Sequence, residues 1–306
     1  MTDARIAMRL HSGCAMFDEL ESFLRSLKNE EFVYVPNPGN AGDSLIAYAT
    51  YLFFERLSLR YEVGDHRNVY PGRIVVYGGG GNFVDPYKNA NEFVLSNLPA
   101  CRLLVILPHS VRGYRDTLAK MDSKCVVFCR ERTSFEFVKL HTSKTEVLLS
   151  HDLALSVDSD LLRTEAAQCS DRVSGNLKYR FRALKSGLKT LTYEFRNRRS
   201  PSALNAFRKD YERTNVVIQG ANLDVSYVCA RPEIVLKPDA ARRTTARLTR
   251  LIDRFKTVRT NRLHVGILSA LLGKKVELYD NSYGKVRAVY EHSLRSRFDN
   301  ITWCES

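Results

Sequence analysis

Phe32-Val33-Tyr34-Val35-Pro36-Asn37-Pro38-Gly39-Asn40-Ala41-Gly42-Asp43-Ser44-Leu45-Ile46-Ala47 is the stretch that decides the fold. Its first four residues form a short apolar run, which reads as a buried strand. Pro36 to Gly42 is rich in turn formers and ends that strand. From Asp43 to Glu55 the pattern is helical, with Asp43 near the N-cap. The unit is therefore strand, polar loop, helix, and it recurs. Ile74-Val75-Val76-Tyr77 is a second strand, ending in Gly78-Gly79-Gly80-Gly81-Asn82. Leu103 to Leu107 is a third, ending in Pro108-His109-Ser110, and Val126-Val127-Phe128 a fourth, ending in Arg130-Glu131. Glu146-Val147-Leu148-Leu149 is a fifth, ending in His151-Asp152. Short apolar strands separated by helical patterns predict a parallel sheet covered by helices on both faces. Polar and glycine residues gather at the carboxyl ends of these strands, where open α/β sheets bind their ligands.

The alternation resumes in the last third. Ala240 to Lys256 carries apolar residues on a helical period, Thr257 to Thr260 is a short strand, and Leu263 to Leu272 is an apolar helix closed by Gly273. Lys275 to Tyr279 is a strand, Asp280-Asn281-Ser282-Tyr283-Gly284 a loop, and Lys285 to Leu294 a helix. A chain of 306 residues suits two domains better than one core. The division expected is an N-terminal domain over 1–165 and a C-terminal domain over 166–306, whose last helix packs back on the first. Between them, about 166–213 forms a basic junction: Arg172 to Arg213 holds about twelve Lys/Arg against four or fewer acids. Its bland reading is a solvated helical face; its sharper reading is a surface for a membrane-bound or phosphorylated acceptor.

Composition narrows the function classes. At 44% hydrophobic and 26% charged residues the chain reads as a soluble globular protein. No apolar run is long enough for a membrane span, and no long apolar run follows Met1 to Arg5, so no secretory signal is expected. The seven cysteines are scattered, which reads as reduced thiols in the cytoplasm. They lack zinc spacing, and His109 and His151 lack partner ligands, so no metal is expected. A formal net charge of +13 fits nucleic acid, an anionic membrane or phosphorylated substrates. No nucleic-acid-binding motif accompanies it, so nucleic acid is not expected.

Three constellations carry chemistry. Asn40-Ala41-Gly42-Asp43 joins strand to helix, where free N–H groups and the helix dipole favour an anion. Gly78 to Gly81 lets backbone approach a ligand closely, though neither loop matches a dinucleotide or P-loop pattern. Arg262-Leu263-His264 opens an apolar helix, and a cation there opposes the helix dipole, which suggests that an anion binds beside it. Arg130 at the end of a buried strand needs a partner. That partner is a ligand, or internally Glu131 or Asp152.

In this order, Asn40 to Asp43, Gly78 to Asp85, Arg130-Glu131-Arg132-Thr133-Ser134, Phe207-Arg208-Lys209-Asp210, Arg262-Leu263-His264 and Asp280 to Lys285 resemble the motifs of polysaccharide pyruvyl transferases. The resemblance runs from about residue 36 to 293. It implies a GT-B-like fold, α/β with two Rossmann-like domains facing across a cleft. It implies phosphoenolpyruvate as donor and a sugar or lipid-linked oligosaccharide as acceptor, with no further cofactor. His264 and Asp43 become the expected catalytic residues. Donor contacts are expected at Arg130, Arg262, Asn40, Gly42, Gly79, Gly80, Asn82, Ser282 and Lys285, and acceptor contacts at Asp85, His109 and Arg208. The family has Asp before the Arg-Leu-His triplet, where this chain has Asn261, which is left to hydrogen-bond or cap. Apart from the resemblance, the missing signal, the free cysteines and the basic segment suggest a cytoplasmic location, peripheral at the inner membrane face. A glycosyltransferase using a nucleotide-sugar donor is the rival on the same fold; a polyanion-binding protein is the rival from another class.

Overall fold

The computed structural model describes residues 15–169, 177–196, 202–230 and 236–305. Cys14, Arg172, Arg198 and Arg199 lie outside them, as do the side chains of Lys178, Arg180 and Arg182. Two compact units divide the chain, and the last residues of the Pro36–Gly42 loop together with the first turn of the helix after it are counted with the second.

The first unit takes residues 15–38, 46–158 and 236–238. In chain order it holds α1 (Asp18–Ser26), β1 (Glu31–Val35), most of α2 (Ala41–Arg56), β2 (Arg60–Val63), β3 (Ile74–Tyr77), β4 (Gly80–Val84), α3 (Asn89–Asn97), β5 (Leu103–Arg112), α4 (Arg115–Lys120), β6 (Cys125–Cys129), α5 (Arg132–His141) and β7 (Glu146–Leu149). The strands form a parallel seven-stranded sheet in the order β2-β1-β3-β5-β6-β7, with β4 paired to β5. The inner strands β3 and β6 are buried along their whole length, whereas the edge strand β2 alternates exposed with half-buried positions. That is the pattern of a sheet covered on both faces. On one side an aromatic cluster of Phe32, Tyr34, Tyr51, Phe54 and Tyr61 joins β1 and β2 to α2. On the other, Tyr77 stacks on Phe93 of α3 at 4.8 Å. The Tyr51 hydroxyl donates to the Leu236 carbonyl at 2.6 Å, tying the returning segment to α2.

Three of the boundaries that differ from the sequence reading lie beside the strand ends that carry the site. The helix begins at Ala41, two residues before Asp43. The third strand runs on through Pro108-His109-Ser110 to Arg112. Pro108 lacks an N–H, and the ladder to β6 shifts register between Ile106 and His109 to accommodate it. The glycine run is also not wholly a loop, since Gly80 and Gly81 begin β4. A methyl group on Gly79 would lie 2.8 Å from the Pro108 carbonyl oxygen, so only glycine allows this approach.

The second unit takes residues 39–45, 159–169, 177–196, 202–230 and 239–305. It contains α6 (Ser159–Gln168), α7 (Leu177–Arg196), β8 (Ala203–Asn205), α8 (Val225–Cys229), α9 (Pro238–Asp253, nearly all of it), β9 (Thr257–Thr260), α10 (Leu263–Leu271), β10 (Lys275–Leu278), α11 (Lys285–Val289) and β11 (Ile301–Trp303). A parallel four-stranded sheet runs β11-β10-β9-β8. Gly273, at φ 69°, ends α10 as the sequence predicts. α11 continues into a π-helical turn over Tyr290–Leu294. The basic junction is helical over α7. Both units are α/β with parallel sheets.

Candidate active site

In the first unit, three neighbouring strands each place one polar residue at a carboxyl end. Arg130, directly after β6, is fully buried. Its Nη1 donates to Asp152 Oδ2 at 2.7 Å and its Nε to Ser110 Oγ at 2.9 Å. Ser110 belongs to β5 and Asp152 follows β7. A buried guanidinium must be paired, and among the described residues Asp152 is its carboxylate partner. Glu131 is not: its carboxylate caps α5, accepting the Ser134 N–H at 2.8 Å. Alongside, His109 Nε2 lies 3.0 Å from Asn82 Oδ1. Asn82 Nδ2 donates to Asn37 Oδ1 at 2.6 Å, and the Tyr77 hydroxyl donates to the same oxygen at 3.1 Å. Gly79 and Gly80 carry the chain past this group. Asp85 stands apart, exposed, accepting from the Tyr114 N–H at 3.2 Å. It helps line a cavity of about 680 Å³ with Asn91, Tyr114 and Thr117.

In the second unit, β9 ends in Thr260-Asn261-Arg262. The Arg262 N–H donates to Thr260 Oγ1 at 3.0 Å. Its side chain donates from Nε to Asp224 Oδ1 at 2.8 Å, and from Nη2 to Asp224 Oδ2 at 2.5 Å and Asp210 Oδ2 at 3.0 Å. Asp210 also accepts from Arg208 Nε at 2.6 Å. Arg208 Nη1 pairs with Glu212, and Glu212 Oε2 further accepts from Lys285 Nζ at 2.9 Å and Asn281 Nδ2 at 3.0 Å. Three separate sequence motifs, Phe207–Asp210, Arg262–His264 and Asp280–Lys285, thus close into one network through Glu212 and Asp210. Its cations are Arg208, Arg262 and Lys285; its carboxylates are Asp210, Glu212 and Asp224. Burial pushes the Asp210 carboxyl up, but the Arg208 hydrogen bond and the Arg262 and Arg208 charges outweigh it, so Asp210 stays below its ordinary range.

This qualifies the sequence argument about Arg262. The cation at the α10 N-terminus is compensated by the chain's own Asp224 and Asp210. Among the described residues Arg262 Nη1 donates to none, so one donor is left for a ligand. Asn261, in place of the family's acid, does not cap α10. Its Oδ1 accepts the Arg208 N–H at 3.0 Å, fixing the motif that carries Arg208 to the end of β9. Ser282 is exposed, with its N–H donating to the Glu212 carbonyl at 3.1 Å. Asp224 and Glu212 were not singled out from the sequence, and Asn281 and Asp210 were only parts of motifs.

His264 sits half-buried in the first turn of α10. The first turn of α2 packs directly on it: a methyl group on Gly42 would lie 2.7 Å from His264 Nδ1. That turn is capped reciprocally. Asn40 Oδ1 accepts the Gly42 N–H at 2.8 Å, and Asp43 Oδ2 accepts the Asn40 N–H at 2.7 Å. Asn40, Gly42, Asp43 and His264 are therefore assembled at one place, where the positive ends of two helix dipoles meet an imidazole.

The family model for polysaccharide pyruvyl transferase matches residues 40–283. The chain belongs to that family. The matched span holds every expected site residue except Lys285, which follows it by two positions. A Bacillus subtilis (strain 168) relative, "Putative pyruvyl transferase EpsO", is 27% identical over 307 residues, spanning 92% of this chain and 91% of the relative. A crystal structure of an uncharacterised protein from Klebsiella pneumoniae subsp. pneumoniae NTUH-K2044 superposes with a TM-score of 0.73 at 29% identity. It covers 96% of this chain and all of that one. Pyruvyl transferases are enzymes of polysaccharide biosynthesis, and family membership implies a sugar or polysaccharide acceptor. Among the described residues no helix is long and apolar enough to cross a membrane, and no group of His, Cys, Asp and Glu could hold a metal ion.

Proposed function

We propose that this pyruvyl transferase takes its pyruvate from phosphoenolpyruvate and forms a ketal on a hydroxyl pair of a sugar, in a polysaccharide or a lipid-linked precursor, in the cytoplasm. The observation that carries the reading is the Arg262 network with His264 two residues on. A guanidinium held rigidly on Asp224, with Nη1 left over, suits the carboxylate or phosphate of an anionic donor. The proposal includes a GT-B-like arrangement of two Rossmann-like domains across a cleft, with Arg130 as the second guanidinium for the donor. No further cofactor takes part in it.

The chemistry is an addition followed by a displacement. A proton is delivered to C3 of the enol, making C2 electrophilic. One sugar hydroxyl adds to C2 and gives up its proton. The C2–O bond to phosphate breaks, and the second hydroxyl closes the ring with loss of its own proton. His264 is the proposed acid/base, an imidazole that can both give and take a proton at the reacting atoms. Asp43, already bonded to the Asn40 N–H through Oδ2, orients a hydroxyl or accepts its proton. Arg262, Lys285 and the α2 N-terminus at Asn40 and Gly42 stabilise the departing phosphate. Ser282, Gly79, Gly80 and Asn82 complete the donor side; Asp85, His109 and Arg208 are assigned to the acceptor.

The test is phosphate release from phosphoenolpyruvate over a panel of galactose, mannose and N-acetylmannosamine acceptors, with mass spectrometry of the sugars. A product heavier by one pyruvate ketal, absent with Arg262→Ala, supports the proposal. Thermal stabilisation by a nucleoside diphosphate and none by phosphoenolpyruvate would instead indicate nucleotide-sugar chemistry.

A further inference from the structure

α7 has a face that the fold of its own unit does not cover. Leu184, Leu188, Leu191 and Phe195 follow one another at spacings of four, three and four, which places them in one line along the helix. Each is between 61% and 66% exposed. The opposite side is the docked one. Tyr193 is 3% exposed; its hydroxyl accepts the Asn205 N–H at 2.9 Å and donates to the Ala203 carbonyl at 3.2 Å, which fixes α7 to β8. The helix is thus held with its apolar line outward.

Charge decides what covers that line. Along its 20 residues α7 carries Lys178, Arg180, Arg182, Lys185, Lys189 and Arg196 against the single acid Glu194. Lys185, Lys189 and Arg196 flank the apolar line and line a cavity of about 860 Å³ that also includes Arg262. Lys189 Nζ additionally lies 5.3 Å from the centre of the exposed Tyr227 ring. A second copy of this helix would bring like charges together, in a chain whose formal net charge is already +13. A linear Leu/Phe stripe with a Lys/Arg flank suits the headgroup region of an anionic bilayer.

We infer that α7 lies in the interface of an anionic membrane, with Leu184, Leu188, Leu191 and Phe195 among the acyl chains and Lys185, Lys189 and Arg196 at the headgroups. The inference is independent of the transferase chemistry, and its readout needs no turnover.

Flotation of the full chain with vesicles of phosphatidylcholine, with and without phosphatidylglycerol, tests it. Binding is expected on the anionic vesicles only and weakens with added salt. Lys185→Gln with Lys189→Gln lowers the partition coefficient about 30-fold, since each charge contributes about fivefold at an anionic surface. Leu188→Asp with Leu191→Asp abolishes it; these positions are exposed, so the melting temperature stays unchanged. Binding that the leucine variants leave intact would overturn the inference, as would no binding to either vesicle. A concentration-dependent dimer in sedimentation, lost in the leucine variants, would assign the stripe to a second copy. Retention of vesicle binding in Arg262→Ala separates this outcome from failure of the proposed reaction.

Discussion

Arg262 and Asp224 form a two-point pair, Nε to Oδ1 at 2.8 Å and Nη2 to Oδ2 at 2.5 Å, with both side chains 9% exposed. They are 38 residues apart in the chain, and each stands at the start of a short helix. Asp224 also caps α8 through the Tyr227 N–H, so one carboxylate sets both a helix and the key guanidinium.

Removing one member of such a pair leaves a nearly buried charge uncompensated. Asp224→Ala is expected to destabilise the fold by about 3 kcal/mol in urea denaturation. Under the proposed reaction it also lowers kcat/KM. Arg262→Lys keeps the charge but loses the fork; it damages turnover while costing less stability than Asp224→Ala.

Gly42→Ala tests the contact between α2 and His264. The added methyl meets Nδ1 at 2.7 Å, so the imidazole must move. The expected stability loss is about 1 kcal/mol or more, from overpacking. A fall in kcat greater than the fall in donor affinity would support the assignment of His264, and His264→Ala should show the same split. Gly187→Ala is the control: it lies within α7 with open space around it, and is expected to stabilise by about 0.5–1 kcal/mol.

Arg130 and Asp152 make the corresponding experiment in the first unit. Each side chain is 1% exposed. Asp152→Ala should destabilise by about 3–5 kcal/mol, and the double variant Arg130→Met/Asp152→Ala by less than the sum of the single ones. Additivity within error would mean that the pair is not coupled.

Acid stability should depend on Asp210. Its carboxyl is depressed from the ordinary 3.8 in the folded chain. The stabilisation is therefore complete above the unfolded value and fades as pH falls through the lower folded one. Wild type should exceed Asp210→Asn in stability at neutral pH, and the gap should close at low pH. A pH-independent gap would rule this coupling out.

Burial pushes the thiols of Cys101 and Cys129 up, and that of Cys125 to about 12. Cys304 is only half-buried. Among the described cysteines, iodoacetamide should modify Cys304 first in the native chain, with Cys101, Cys125 and Cys129 reacting after denaturation. Peptide mapping by mass spectrometry reads the order directly.

Much of the fold was legible. β3, β7 and β9 have the bounds that their apolar runs predict, and α10 and β10 differ by one residue at most. These segments are buried, so hydrophobicity and secondary structure point the same way. The strands that escaped notice, β2, β8 and β11, are short edges or half-polar, and β4 was hidden in glycines. A glycine run becomes a strand only when a neighbour pairs with it, and that neighbour is β5.

The sequence by itself determined the α/β class, the parallel order of strand and helix, and the motifs that carry the family resemblance. These depend on spacing within a few residues: apolar period, turn residues, and the short strings around Arg130, Arg262 and Lys285. Only the tertiary structure decided who pairs with whom. It put Asp152 rather than Glu131 on Arg130, joined Arg208, Arg262 and Lys285 through Asp210 and Glu212, set Gly42 against His264, and turned the leucines of α7 outward. The ion pairs depend on groups brought within about 3 Å from distant parts of the chain, a range that local sequence patterns do not report, and the packing of Gly42 and the outward leucines follow from how the helices dock.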